Sequence, residues 1–181
     1  MDELSSSELE EALRRLQRRR KRQGILTLVL SLAVVFAAGV ILFQHYIGLC
    51  VVAGESMEPS LRPGDVMLFV RRGNLSYGDV VLMEDGDGGL MVKRVAGLPG
   101  DTVMVTPEGQ LSRNGQMVIE AHTSYGRQDT SSWIAFPCQI QEGELFYLGD
   151  NRARSLDSRI VGPVSNSEVV GVVLCFFRLS P

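Results

Sequence analysis

Downstream of residue 45 the chain carries eleven basic side chains, and ten of them are arginine; the exception is Lys93. Arginine keeps its proton in a protein, whereas a lysine enclosed by apolar groups shifts toward the neutral amine. In LMVKRVA (90–96) strand alternation places Met91 and Val95 on the same side as Lys93. A neutral amine there can take a proton from a serine hydroxyl, the Ser–Lys form of nucleophilic catalysis. Residue type alone favours a plainer reading, a strand lysine whose ammonium reaches water past its neighbours.

Three serines compete for the role of nucleophile. Ser56 lies in AGESMEPSLRPGD (53–65), stiffened by Pro59 and Pro63. Ser155 and Ser158 lie in LGDNRARSLDSRIVGPV (148–164), crowded with Asp150, Asn151, Arg152, Arg154, Asp157 and Arg159. That second stretch equally fits a polar loop held by its own ion pairs. It lacks the glycine and closing glutamate of a calcium loop. Its carboxylates have arginine neighbours that keep them ionised, against a glycosidase acid. A histidine base has little support, with His122 in a polar stretch and His45 at the end of an apolar run. Cys50, Cys138 and Cys175 match no metal spacing, so neither a metal nor a cofactor is expected. A Cys138–Cys175 disulfide stays open beside the reading of both as small buried residues.

The elements that must position these groups read as mostly β. Turn signals recur at RPGD (62–65), YGD (77–79), EDGDGG (84–89), LPGD (98–101), TPEG (106–109) and RNGQ (113–116). Between and after them, VMLFV (66–70), VVLM (80–83), LMVKRVA (90–96), TVMV (102–105), LFYL (145–148) and VVGVVLCFF (169–177) predict short strands. Asn114-Gly115 predicts a two-residue hairpin turn. The spacing argues an antiparallel sheet or partly open barrel, not alternating β and α units. Residues 121–139 are mostly polar and read as a long loop or excursion.

Ahead of this domain, residues 1–23 hold seven of the 18 Lys and Arg and five of the 21 Asp and Glu. The remainder holds 11 basic and 16 acidic residues, which gives no basic face for nucleic acid. Ile25 to Phe43 is almost wholly apolar and, at ~1.5 Å per helical residue, spans the roughly 30 Å of a hydrocarbon core. It exceeds the apolar region of a cleaved leader. The expected organisation is a basic segment over 1–23, a transmembrane anchor over 24–44 and a β-rich domain over 45–181. The basic block predicts a cytoplasmic amino terminus, with the domain on the far side.

GESMEPS (54–60), YGDVVL (77–82), VKRVAGLPGD (92–101) and GDNRARSLDSRIVGPV (149–164) resemble, in order and spacing, the four blocks of type I signal peptidases. The resemblance covers about 45–177. It implies a membrane-bound serine endopeptidase that removes signal peptides from secreted preproteins. Ser56 would be the nucleophile and Lys93 the general base, with Ser155 orienting the lysine and Asp157 with Arg159 supporting the site. Asp150, Asn151 and Arg152 would be structural.

The implied fold is a mostly antiparallel β domain with an apolar surface against the bilayer. The implied partners are preproteins, lipid and the secretion translocon. The implied location is the plasma membrane, crossed once. The single anchor and short domain resemble the Gram-positive form. Ser60 stands where threonine is usual, and Ala96 where a larger aliphatic is usual. Gly54 stands where some members carry an oxyanion-donating serine, so the oxyanion would rest on backbone N–H groups near Gly54 and Ser56.

Three relatives compete with this reading. An organellar inner-membrane peptidase shares the chemistry. Self-cleaving repressors use the same pair of residues without an anchor, and microsomal enzymes carry histidine at the base position. A non-catalytic anchored β module that binds preproteins or cell wall is the alternative of a different class.

Overall fold

The computed structural model describes residues 6–71, 73–86, 88–127 and 134–178. The chain divides into two units, Met1–His45 and Tyr46–Pro181.

The first unit is occupied by α1, Ser6–Tyr46. Within it Arg14–Tyr46, 33 residues, is long and apolar enough to cross a membrane. A helix is the form such a run must take in lipid, because it satisfies every backbone group within the segment. The basic residues 14–22 continue the same helix.

The second unit is built from antiparallel strands. These are β1 (Ile47–Val51), β2 (Val66–Arg71), β3 (Val80–Glu84), β4 (Leu90–Gly97), β5 (Thr102–Val105), β6 (Leu111–Arg113), β7 (Gln116–Met117), β8 (Cys138–Gln139), β9 (Glu144–Leu148), β10 (Val164–Ser165) and β11 (Val169–Phe177). A short helix, α2 (Ser158–Val161), lies between β9 and β10. The larger sheet runs β1-β2-β11-β3-β4-β9-β10 and the smaller one β7-β6-β5-β8. Each predicted strand is present, and Val169–Phe177 has the predicted bounds. The predicted turn joins β6 to β7, with φ of 54° at Asn114 and 79° at Gly115, the signs a type I′ turn needs.

Three strands were not foreseen, among them the two-residue β10, whose Val164 lies opposite Leu145. β1 follows the apolar helix without a break and pairs with β2, Leu49 opposite Leu68. β8 forms inside the stretch expected to be loop, with Cys138 opposite Val103. Part of that excursion, 128–133, lies outside the described residues.

The core has three parts. Ala96, Phe146 and Leu148 of the larger sheet pack on Val103, Val105 and Leu111 of the smaller. On the other face of β4 and β9 lie Val81, Met83, Val95, Leu145, Tyr147 and Val172. Val52, Met57, Leu61 and Met67 close a third cluster beneath residues 52–65.

All three cysteines are free. Cys138 belongs to the smaller sheet and Cys175 to the larger, opposite Leu68, so the disulfide left open above does not form. Nor is Cys175 a buried apolar residue, since its side chain is exposed.

Candidate active site

β4 carries Lys93 opposite Val81 of β3. Alternation along β4 puts Lys93 on the face that bears Val95 and its apolar cluster. The side chain is 4 % exposed, so the plainer expectation of a solvated strand lysine is overturned. Burial, the largest influence, pushes the amine below its ordinary 10.5; Asp157 opposes this shift and Arg159 adds to it. Lys93 Nζ donates to Ser155 Oγ at 3.2 Å.

Ser155 is fully buried and lies in the segment that leaves β9 and enters α2. Asp157 is the N-cap of α2, its carboxylate accepting from Arg159 N. The same carboxylate is gripped by Arg159 through Nε at 2.8 Å and Nη2 at 2.9 Å, with both side chains wholly buried. A further bond, Gly149 N to Asp157 Oδ2 at 3.1 Å, ties the end of β9 to this pair. Arg159 Nη2 also donates to the carbonyls of Arg152 at 2.8 Å and Ser155 at 3.3 Å. Asp157 and Arg159 therefore fix the backbone on both sides of Ser155.

Ser56 is half-buried in the turn that begins the 52–65 excursion. Leu61 N donates to Met57 O at 2.9 Å, and Met57 and Leu61 point into the third cluster. Asn151 N donates to Ser56 O at 2.9 Å, and Asn151 Nδ2 to Glu55 O at 3.2 Å. Glu55 and Arg154, the neighbours of Ser56 and Ser155, form an ion pair. The two serine-bearing segments are thus docked on each other. Among the described residues, Ser56 Oγ makes no hydrogen bond, and the N–H groups of Gly54 and Ser56 reach no acceptor.

Several participants escaped the sequence reading. A Cβ on Gly149 would lie 2.2 Å from Ser155 Oγ and 2.6 Å from Ser56 O, so glycine is what lets the two serines approach from one side. A Cβ on Gly54 would meet nothing within 4 Å. Gly149→Ala is therefore expected to lower the melting temperature and cut activity at least tenfold, as a ~1 Å displacement at a site does. Gly54→Ala should leave both near the parent, and parallel melts and cleavage assays separate the two outcomes.

Arg94, on the face of β4 away from Lys93, donates to Asp150 at 2.8 and 2.6 Å and to Gly78 O at 2.8 Å. Asp150 also accepts from Ser60 Oγ, which joins β4 to the Ser56 excursion. Ser158 Oγ accepts from Tyr147 N at 3.0 Å. Arg152, fully buried, donates to Gly149 O at 3.0 Å and pairs with Glu120 at 2.6 Å. His122 is exposed, and its carbonyl accepts from Ser60 Oγ at 3.4 Å. The Asp157 N-cap is the local signal from which α2, not predicted from the sequence, could have been read.

The family model for signal peptidase, peptidase S26, matches residues 22–177. A signal peptidase I of Bacillus licheniformis is 31% identical over 162 residues, covering 82% of this chain and 84% of that one. A signal peptidase IB of Staphylococcus aureus is 29% identical over 178 residues, 88% of this chain and 92% of its own. A solved signal peptidase I of Enterococcus faecalis aligns with a TM-score of 0.43 and 28% identity, over 55% of this chain and 97% of that one. The chain belongs to the signal peptidase family, peptidase S26, and is a serine peptidase.

Proposed function

We propose that the chain removes amino-terminal signal peptides from preproteins, with Ser56 as nucleophile and Lys93 as general base. The observation that carries this reading is the single lysine after residue 45, buried, held toward the neutral amine and aimed by Ser155. Neutral Lys93 has two N–H bonds and one lone pair. An N–H given to Ser155 Oγ leaves the lone pair to accept the Ser56 hydroxyl proton when substrate is bound.

Ser56 Oγ then attacks the scissile carbonyl carbon, and the oxyanion is received by the unengaged N–H groups around Gly54 and Ser56. The C–N bond breaks as Lys93 returns the proton to the leaving amine. Water, deprotonated in turn by Lys93, attacks the acyl carbon; a carboxylate leaves, Ser56 is restored, and the peptide has been cleaved by one water. An extended substrate segment adding as a strand, with small side chains at the first and third positions before the cut, suits a site at a sheet surface.

The anchor fits the substrate, because a signal peptide is itself held in lipid and confinement raises the effective concentration. The basic residues 14–22 support a cytoplasmic amino terminus, with the β unit on the opposite side and the secretion translocon as its neighbour. In the β unit, Leu49 and Val51 of β1 and Leu174, Phe176 and Phe177 of β11 are exposed on the two strands that flank β2, apolar side chains suited to lipid. The test is cleavage of a signal-peptide-bearing preprotein by the detergent-solubilised chain, with the new amino terminus sequenced. Cleavage after a small-x-small site by the parent and none by Ser56→Ala is expected. Equal cleavage by both would remove Ser56 from the chemistry.

A further inference from the structure

β11 ends at Phe177, and the next residue turns back toward the segment that carries Ser56. Arg178 Nε donates to Asp65 Oδ1 at 2.9 Å and Nη2 to Asp65 Oδ2 at 2.7 Å, a two-pronged grip. Nη2 also donates to Ser60 O at 3.3 Å. The Asp65 carboxylate is 2 % exposed and also accepts from Arg62 N at 2.9 Å. Arg178 holds that carboxyl below its ordinary range, against a burial that pushes the other way.

The 52–65 excursion leaves β1 after Val51 and enters β2 at Val66. Its neck is closed by Val52 N to Asp65 O at 2.9 Å and by Gly64 N to Val52 O at 2.8 Å. Its middle is held at Ser56 by Asn151 and at Ser60 by Asp150. Arg178 spans the two regions, with the neck on one side of its guanidinium and the Ser60 carbonyl on the other. Most exposed ion pairs do little, but a fork on a buried carboxylate is geometrically committed. Neither residue touches Lys93, Ser155 or the Asp157–Arg159 pair through a hydrogen bond.

We propose that Arg178 is a positioning residue for the nucleophile: its fork on Asp65 and its bond to Ser60 O hold the 52–65 excursion so that Ser56 stays in register with Lys93. The inference rests on the reading of Ser56 as nucleophile given above. Arg178 acts through the backbone it braces and never meets substrate. Without it the Asp65 carboxylate is left buried with only Arg62 N, and the excursion shifts as a unit while the sheets stay intact.

The experiment uses the full chain in detergent and a signal-peptide-bearing preprotein, with kcat and KM measured for the parent, Ser56→Ala, Arg178→Ala, Arg178→Lys and Asp65→Asn. Arg178→Ala is expected to lose about 10- to 100-fold in kcat, with KM little changed, at temperatures well below a melting temperature that the unpaired Asp65 carboxylate itself lowers. Millimolar methylguanidinium should restore part of that kcat, and should do nothing for Ser56→Ala or Asp65→Asn. Combining Asp65→Asn with Arg178→Ala should cost no more than either alone, as for two halves of one device. Should the alanine variant fail to fold, Arg178→Lys carries the test, with a kcat between parent and Asp65→Asn. Parent-level kcat in the Arg178 variants, or a loss that tracks melting and ignores methylguanidinium, would overturn the proposal while leaving the Ser56 reading in place. An active Ser56→Ala would remove that reading and this inference with it.

Discussion

Lys93→Met is expected to lose activity by about three orders of magnitude, within the range general acid–base catalysis supplies, while the chain still folds. Methionine matches the stem of lysine and suits the apolar cluster around Val95 and Tyr147. Its stability relative to the parent should depend on pH with a definite sign. In the folded parent the amine binds its proton less tightly than in the unfolded chain, because burial lowers its pKa from 10.5. Below the folded pKa the ammonium is therefore a full burden on the parent. That burden lifts as pH rises from the folded value through the unfolded one, and is gone above it. The melting temperature of Lys93→Met minus that of the parent should thus be greatest at low pH and shrink as pH approaches 10.5. A difference independent of pH would mean that the lysine is solvated.

Asp157→Ala is expected to be the most destabilising single change in the β unit, at about 3–5 kcal/mol, the range for breaking a buried ion pair from one side. Arg159 and Asp157 are both wholly buried, so the guanidinium would be left in a dry site. The same substitution removes the N-cap of α2 and the acceptor of Gly149 N. Asp157→Asn keeps the shape and the cap while deleting the charge, so it should unfold less readily and report on Lys93. Asp157 favours the ammonium of Lys93 and Arg159 disfavours it, so deleting the acid moves the lysine further down. The rising limb of its pH–rate profile should lie at lower pH than the parent's. Urea titration measures the first effect, and kcat/KM against pH the second. A limb displaced to higher pH would contradict the assigned charges.

Much of the β unit was legible because its signals are local. Val66–Arg71, Val80–Glu84 and Thr102–Val105 are β-branched runs bounded by turns, and Asn114-Gly115 declares its own hairpin. β1 was hidden because Ile47–Val51 prolongs the apolar helix without a turn signal. Its place is decided by β2, itself flanked by the last strand of the chain. Lys93 and Ser155 could be named from residue type and family resemblance, yet what the lysine meets is decided by Ser155, 62 residues further along the chain. Gly149 was invisible for the same reason. Nothing near it in sequence tells that Ser56 O and Ser155 Oγ converge where its side chain would be. Arg178 lies 113 residues from its partner Asp65, a pairing that no spacing announces.

The central claim is that Lys93 works as a neutral amine, and the chain offers a direct way to watch it. Its only lysines are Lys21 and Lys93, so Cε of 13C-labelled lysine gives two NMR signals, assigned by their presence or absence in Lys93→Met. Titration of the detergent-solubilised chain should show the Lys93 signal moving at a pH below 10.5. The Lys93 midpoint should coincide with the rising limb of kcat/KM for preprotein cleavage. If Lys93 titrates as an ordinary solvated amine while cleavage is already maximal at lower pH, Lys93 is not the base.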